Sequence, residues 1–268
     1  MKSVEGIGLK DVQNVYSGAE GVLWELIMGE QIHIGGLKSS MDLADNAAIG
    51  AGMSGIDLCC CTGAGMRFLV KFRDVKKMLG VDATSTTVDE GLRRCETQGV
   101  SDSIQFVLAD VCKSGLPDAI ADFVWGEDAW CYVLDKTTLI SESARLVKPG
   151  GTIAFTDWVE ASTPMTDAEA ERFLRFMKFP NIQNIDGYAG LLKKNGCTVL
   201  KAYDTGRFAP YVDLYLSMLD MQLSYDALRI IGFDTGLMQM LAGEMTFMQT
   251  LAHEGKIAQG LFVARKAD

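Results

Sequence analysis

From Ser54 onward the chain settles into one rhythm, short apolar runs alternating with amphipathic stretches, and the first three runs each carry an aspartate within or just beyond them. Apolar runs of strand length separated by helix-length segments cannot pair as hairpins, so they form a parallel sheet with helical crossovers. The pattern predicts strands near Gly55–Cys59, Lys77–Val81, Ile104–Leu108, Asp122–Trp125 and Thr152–Thr156. A Thr-Gly-Ala-Gly turn opens a helix through Phe72. A second helix, with Thr86 and Asp89 in near-capping-box spacing, stops at Gly99, and Asp135 caps a third that ends in Leu146–Gly151. Thr166 followed by Glu169 starts a helix over Asp167–Phe179. Strands near Thr198–Tyr203 and Gly260–Arg265 close the chain, with Met-rich helices from about Val212 to His253 between them. The expected fold is α/β, a doubly wound sheet.

Residues 1–50 lack this rhythm and read as a helical N-terminal cap, with Ser39 or Ser40 capping a helix that runs to about Ile49. The core then spans 51–268, with helical insertions at about 160–195 and 212–256. A formal charge of −10 and no Lys/Arg-rich run speak against a nucleic-acid partner. No window approaches the roughly 18 uninterrupted apolar residues of a membrane span, and the start of the chain lacks the features of a secretory signal. Seven cysteines, three of them consecutive (Cys59, Cys60, Cys61), do not make a disulfide framework. The expectation is a cytoplasmic protein, monomer or homodimer, acting on a small molecule without membrane or nucleic acid.

In a doubly wound sheet, ligands sit beyond the carboxyl ends of the strands at the point where strand order reverses. An acid at the end of the second strand, Asp82, is placed to accept both hydroxyls of a ribose. Asp110, just past the third, can accept from the exocyclic amine of adenine, and Asp57 lies within the first. A dinucleotide would need Gly-x-Gly-x-x-Gly for its pyrophosphate. The turn here, Asp57–Gly65, offers only Gly63 and Gly65, so the constellation suits an adenosine without pyrophosphate.

Asp57–Gly65, Val81-Asp82, Ala109-Asp110-Val111 and Leu146–Gly151 resemble, in order and spacing, the motifs of class I S-adenosylmethionine-dependent methyltransferases. The resemblance implies a Rossmann-like sheet of seven strands, the last antiparallel, with S-adenosylmethionine as cofactor and S-adenosylhomocysteine as product. Val15-Tyr16, Trp24–Glu30 and Gly35-Gly36 resemble the cap of the sarcosine/dimethylglycine and phosphoethanolamine N-methyltransferases, and Glu127-Asp128-Ala129-Trp130 their active-site segment. By that resemblance Asp57, Gly63, Gly65, Asp82, Ala83, Asp110, Val111 and Glu127 bind cofactor, with Gly63 approaching its methionine part. Tyr16 lies over the methyl and the acceptor, and Asp128 faces the cofactor or substrate. By residue type Trp130 and Trp158 read as core or pocket wall and are candidates to contact an alkylated ammonium of the substrate through a ring face.

Two departures stand out. Glycine is usual in the family where this chain has Cys59 and Cys61, and strand alternation would aim these two to one side and Cys60 to the other. A packing role outweighs a metal one, since a closed site wants four ligands from separated pairs; no metal is expected. The family histidine that partners the cap tyrosine falls on Tyr132, giving a Tyr16/Tyr132 pair. Phe176–Pro180, where the phosphobase enzymes place phosphate-gripping side chains, offers only Lys178, which makes phosphoethanolamine a poor acceptor. His33, in the cap loop just before Gly35-Gly36 and close to where the methyl should emerge, is by that position a candidate proton relay or a structural hydrogen-bond partner of the loop. The expected reaction is methyl transfer to the nitrogen of an amine or amino acid such as sarcosine or dimethylglycine. O- or C-transfer to a secondary metabolite, or a non-catalytic cofactor-binding regulator, are the alternatives.

Overall fold

A computed structural model describes residues 1–268. The cap comprises β1 (Lys2–Ser3), α1 (Leu9–Tyr16), α2 (Ala19–Met28) and α3 (Gly36–Asn46). The core begins with β2 (Ser54–Leu58), α4 (Ala64–Arg73), β3 (Lys77–Asp82), α5 (Ser85–Thr97), β4 (Ile104–Leu108) and β5 (Ala121–Glu127). A 3₁₀ turn at Trp130–Tyr132 leads to α6 (Lys136–Leu146), β6 (Val147–Glu160), α7 (Asp167–Met177), β7 (Asn181–Ile182) and α8 (Ile185–Lys194). The chain ends through β8 (Cys197–Asp204), α9 (Phe208–Met218), a π-helical turn (Leu219–Leu223), α10 (Ser224–Ile230), α11 (Thr235–His253) and β9 (Ile257–Lys266).

Seven strands lie in the order β4-β3-β2-β5-β6-β9-β8, parallel from β4 through β6, with β9 antiparallel to both neighbours. Strand order reverses between β2 and β5, so their carboxyl ends open one crevice. β1 pairs with β7, tying the chain start to the insertion after β6.

Strands buried on both faces need apolar side chains throughout. Phe123, Val124 and Trp125 of β5 and Ile153, Ala154 and Phe155 of β6 are fully buried. Phe155 is stacked between Trp130 and Phe262, with ring centroids 4.0 Å and 4.5 Å away. Each such side chain contributes about 1.5–3 kcal/mol by leaving water. Asp135 caps α6 by accepting from the Thr138 N–H at 2.9 Å, and Thr166 with Glu169 forms a complete capping box on α7.

Three local expectations are corrected. Ser39 and Ser40 do not cap a helix: α3 starts a turn earlier, after Gly35 in the left-handed region (φ 90°), and both serines are buried inside it. Thr86 and Asp89 do not form the start of α5, which follows Thr84; Asp82 instead accepts the Thr84 N–H at 2.9 Å. β2 ends at Leu58, so Cys59–Cys61 form a turn and strand alternation does not govern them.

The cap is fastened to the core by polar contacts at several points. Glu30 meets buried Arg67 of α4 at 2.9 Å, Glu25 meets Arg94 of α5 at 2.6 Å, and Gln13 donates to the Ala83 carbonyl at 2.7 Å. Buried Gln259 of β9 donates to the Ile34 carbonyl and to Asp128 Oδ2, both at 2.9 Å, joining sheet, cap loop and the turn after β5.

Candidate active site

A cavity of about 360 Å³ opens beyond the carboxyl ends of β2, β3, β4 and β5 and is roofed by α1 and the loop Glu30–His33. Of the residues expected at the cofactor, Asp57, Gly65, Asp82, Ala83, Asp110, Val111 and Glu127 line it, as do Tyr16, His33, Asp128 and Tyr132.

The turn after β2 is shaped from below by Asp82, whose Oδ2 accepts the Cys61 N–H and whose Oδ1 accepts the Thr84 N–H, each at 2.9 Å. Cys59 (φ 64°) and Cys61 (φ 48°) are left-handed, where a β-carbon is strained and glycine is at ease. Burial pushes the Cys61 thiol up to about 12 and Cys59 and Cys60 well above their ordinary values, so these are thiols rather than reactive thiolates. No group of three or more His, Cys, Asp or Glu side chains is arranged to hold a metal.

Gly65, in the first turn of α4, is required by the carboxylates behind it. A β-carbon there would stand 2.8 Å from Glu127 Oε2 and 3.4 Å from Asp57 Oδ2. Burial, then the neighbouring Glu127 and Asp82 charges, hold the Asp57 carboxyl well above its usual range. Burial also raises Asp82 and Asp128, although hydrogen bonds to their oxygens oppose the rise. Asp110 is exposed and accepts the Cys112 N–H at 2.8 Å, beside buried Val111.

At the other end, the Tyr16 O–H donates to the Tyr132 hydroxyl at 3.0 Å and the rings meet edge to face, centroids 5.6 Å apart. Burial drives both phenols well up, which keeps them neutral. Tyr132 leans edge-on against Phe179 at 4.8 Å. Its turn is clamped from beneath: Asp157 accepts the Cys131 N–H at 2.9 Å and the Tyr188 O–H at 2.5 Å, while buried Lys136 donates to the Cys131 and Val133 carbonyls at 3.1 Å and 2.6 Å. Burial raises the Asp157 carboxyl to about 7, against the pull of Lys136.

His33 is almost fully buried, its Nε2 3.2 Å from Ser40 Oγ and 3.3 Å from Glu127 Oε1. Ser40 donates to the same Glu127 oxygen at 2.6 Å, and Trp125 Nε1–H donates to the other at 3.0 Å. These partners favour the tautomer with its hydrogen on Nε2. Nδ1, buried and without a protein partner, then presents a lone pair.

Three expected residues lie elsewhere. Trp130 is fully buried under the sheet with its indole N–H donated to the Leu58 carbonyl at 3.1 Å, and Trp158 is buried against Phe173 and Phe208. Neither lines the cavity. Gly63 is the left-handed N-cap of α4 (φ 76°), and a β-carbon there would strike Phe106, 2.7 Å away, so it serves the turn rather than the cavity wall. Ser40, Gln259, Lys136, Asp157 and Tyr188 were missed. Asp157 and Gln259 each lie one residue outside a run expected as a strand, Thr152–Thr156 and Gly260–Arg265, and a polar residue continuing an apolar strand was the available signal.

A second cavity of about 590 Å³ lies between α2, α7 and the α9–α11 helices, walled mainly by apolar side chains, and shares no residue with the first. Of its acids, Asp213 is engaged by Gln249 and His253.

Residues 56–155 match the methyltransferase domain family. Residues 56–155 thus carry a methyltransferase domain, and the seven-stranded sheet with its antiparallel last strand is what the resemblance to class I S-adenosylmethionine-dependent methyltransferases implies. Among curated proteins it is similar to phosphoethanolamine N-methyltransferase 1 of Arabidopsis thaliana, 25% identical over 196 residues, 72% of this chain. The chain spans 39% of that relative's length. Among solved structures it resembles a putative sarcosine dimethylglycine methyltransferase from Galdieria sulphuraria (TM-score 0.83, 19% identity, 93% of this chain and 98% of that one). It also resembles Haemonchus contortus phosphoethanolamine N-methyltransferase 2, seen with phosphomonomethylethanolamine and S-adenosylhomocysteine (TM-score 0.85, 17% identity, 96% of this chain and 59% of that one).

The strained cysteines yield a first expectation. A left-handed non-glycine residue costs roughly 1–2 kcal/mol, of which glycine's looser unfolded chain returns about 0.4–1. Replacing Cys59 and Cys61 together with glycine should therefore leave denaturant stability equal or raise it by up to about 3 kcal/mol. A loss of more than about 1 kcal/mol would mean that thiol packing outweighs backbone strain.

Proposed function

We propose that the chain transfers a methyl group from S-adenosylmethionine to the nitrogen of a small amine. The observation that carries this reading is the Tyr16/Tyr132/His33 group and the carboxylates Asp57, Asp82 and Asp110 on the walls of one cavity. The residues fit the cofactor. Asp82, still able to accept after its bonds to two backbone N–H groups, would hold the ribose hydroxyls. Asp110 and Val111 would frame the adenine. Asp57 and Glu127, around Gly65, would receive the positively charged amino-acid end.

When bound, S-adenosylmethionine supplies an electrophilic methyl on a sulfonium sulfur, whose C–S bond breaks with its electron pair kept by sulfur as the acceptor nitrogen bonds carbon. What the protein must add is alignment, exclusion of water and a free nitrogen lone pair. An amine of lysine-like pKa is neutral in only about one molecule in 10³ at pH 7. His33 Nδ1 can take the ammonium proton, the electron pair staying on nitrogen, and Glu127 beside Nε2 steadies the imidazolium so formed. Tyr16, with its hydrogen given to Tyr132, keeps oxygen lone pairs for a further N–H of the acceptor.

Two measurements test this. Calorimetry should show one S-adenosylmethionine per chain, with affinity about tenfold weaker in Asp82→Asn, where a charge-assisted acceptor is lost. Equal affinity would remove Asp82 from the ribose, and absence of binding would overturn the proposal. Tyr132→Phe should bind the cofactor as before while turnover on amine acceptors falls at least about tenfold, near 1.4 kcal/mol of barrier. Undiminished turnover would return the pair to a structural role.

A further inference from the structure

We infer that the acceptor is an amine bearing no anionic group, which separates this chain from the phosphate- and carboxylate-carrying substrates in the names of its relatives; the inference rests on the methyl-transfer reading above. The ground is the charge of the cavity wall. Of its 28 lining residues seven are Asp or Glu and none is Lys or Arg.

The bases nearest in the fold are committed to other partners. Arg67 is held by Glu30 and by the Thr62 carbonyl, and Arg94 by Glu25 and Glu90. Arg207, beside Gly35, pairs with Asp42. Lys136 is buried with its ammonium on the Cys131 and Val133 carbonyls, and Lys178 donates to the Arg175 carbonyl. His33 is the one lining side chain that can take up positive charge, and its Nε2 already faces Ser40 and Glu127.

An acceptor phosphate or carboxylate entering this cavity would leave water, find no cationic partner and lie in the field of several carboxylates. The wall does hold backbone donors at Ala64 and Gly65, in the first turn of α4, but that is where the cofactor's own amino-acid end would be received. An ammonium meets the opposite conditions. The carboxylates attract it, the neutral phenols of Tyr16 and Tyr132 offer lone pairs and ring faces, and Leu9, Val12 and Val133 give its carbon skeleton apolar surface. The same preference extends to the cofactor, whose sulfonium and ammonium outnumber its single carboxylate.

Matched acceptors decide it. N,N-dimethylethanolamine, N,N-dimethylglycine and phospho-N,N-dimethylethanolamine share one dimethylamine nitrogen, as do N,N-dimethylbenzylamine and its 4-carboxylate. Each is titrated into protein saturated with S-adenosylhomocysteine, and methyl incorporation from labelled S-adenosylmethionine is followed in parallel. In each set the member without an anion should bind, and its kcat/KM should exceed that of its anionic counterparts at least tenfold. A carboxylate or phosphate member that binds or reacts as well would overturn the inference while leaving methyl transfer intact. If no member binds although the same preparation binds S-adenosylmethionine, the inference also fails, and the failure belongs to the acceptor class. Failure to bind S-adenosylmethionine itself would instead condemn the reading on which it rests.

Discussion

Acids gather at the carboxyl ends of the parallel strands, and no Lys or Arg side chain lines the cavity they face. Asp57, Asp82 and Asp128 all have carboxyls raised by burial, and Glu127 lies close enough to Asp57 that a single β-carbon at Gly65 would touch both. Concentrating like charge in low dielectric is unfavourable. The structure tolerates it through backbone N–H donors to Asp82 and Asp128 and hydroxyl and indole donors to Glu127. The strand-end turns, the glycine in α4 and the cap loop each accommodate those acids.

The cap answers the same constraint. Asp128, left-handed at φ 50°, accepts from the Ile34 N–H at 2.8 Å and from Gln259, so the carboxylate after β5 fixes the loop that carries His33. Ser40, inside α3 rather than at its start, reaches Glu127 for the same reason. The Tyr132 turn is held from the far side by Lys136, Asp157 and Tyr188. The cap loop and the Tyr132 turn, the two sides of the proposed acceptor site, are thus tied to β9 and to β6, and in the proposed reaction a small shift of either would misalign an in-line displacement.

Much of this was legible in the sequence, and the rest was not for identifiable reasons. The strand positions and the acids follow from periodicity, because the central strands β2 and β5 are largely buried and written in apolar residues, and an acid interrupting that script is conspicuous. The Tyr16/Tyr132 contact followed from the resemblance, which set Tyr132 at the position that partners the cap tyrosine. Trp130 and Trp158 belong to the core, and their assignment to the substrate failed because an aromatic next to a site motif does not reveal which face of the chain it takes. The thiol turn was misjudged as strand because cysteine has no strong local preference, whereas φ there is imposed by Asp82 gripping Cys61 from a strand away. Gln259, 131 positions from Asp128, could not be paired with it without the fold.

The central claim is that these carboxylates await a cationic cofactor, and proton linkage tests it most directly. Carboxyls raised in the free protein hold protons closer to neutrality than usual, and a sulfonium and ammonium beside them favour the ionised form, so binding must expel protons. Calorimetric titration with S-adenosylmethionine at about pH 6, in two buffers of different ionisation enthalpy, measures that release. The account predicts net proton release, smaller with S-adenosylhomocysteine, which lacks the sulfonium charge. Binding with no proton exchange, or with proton uptake, would contradict it.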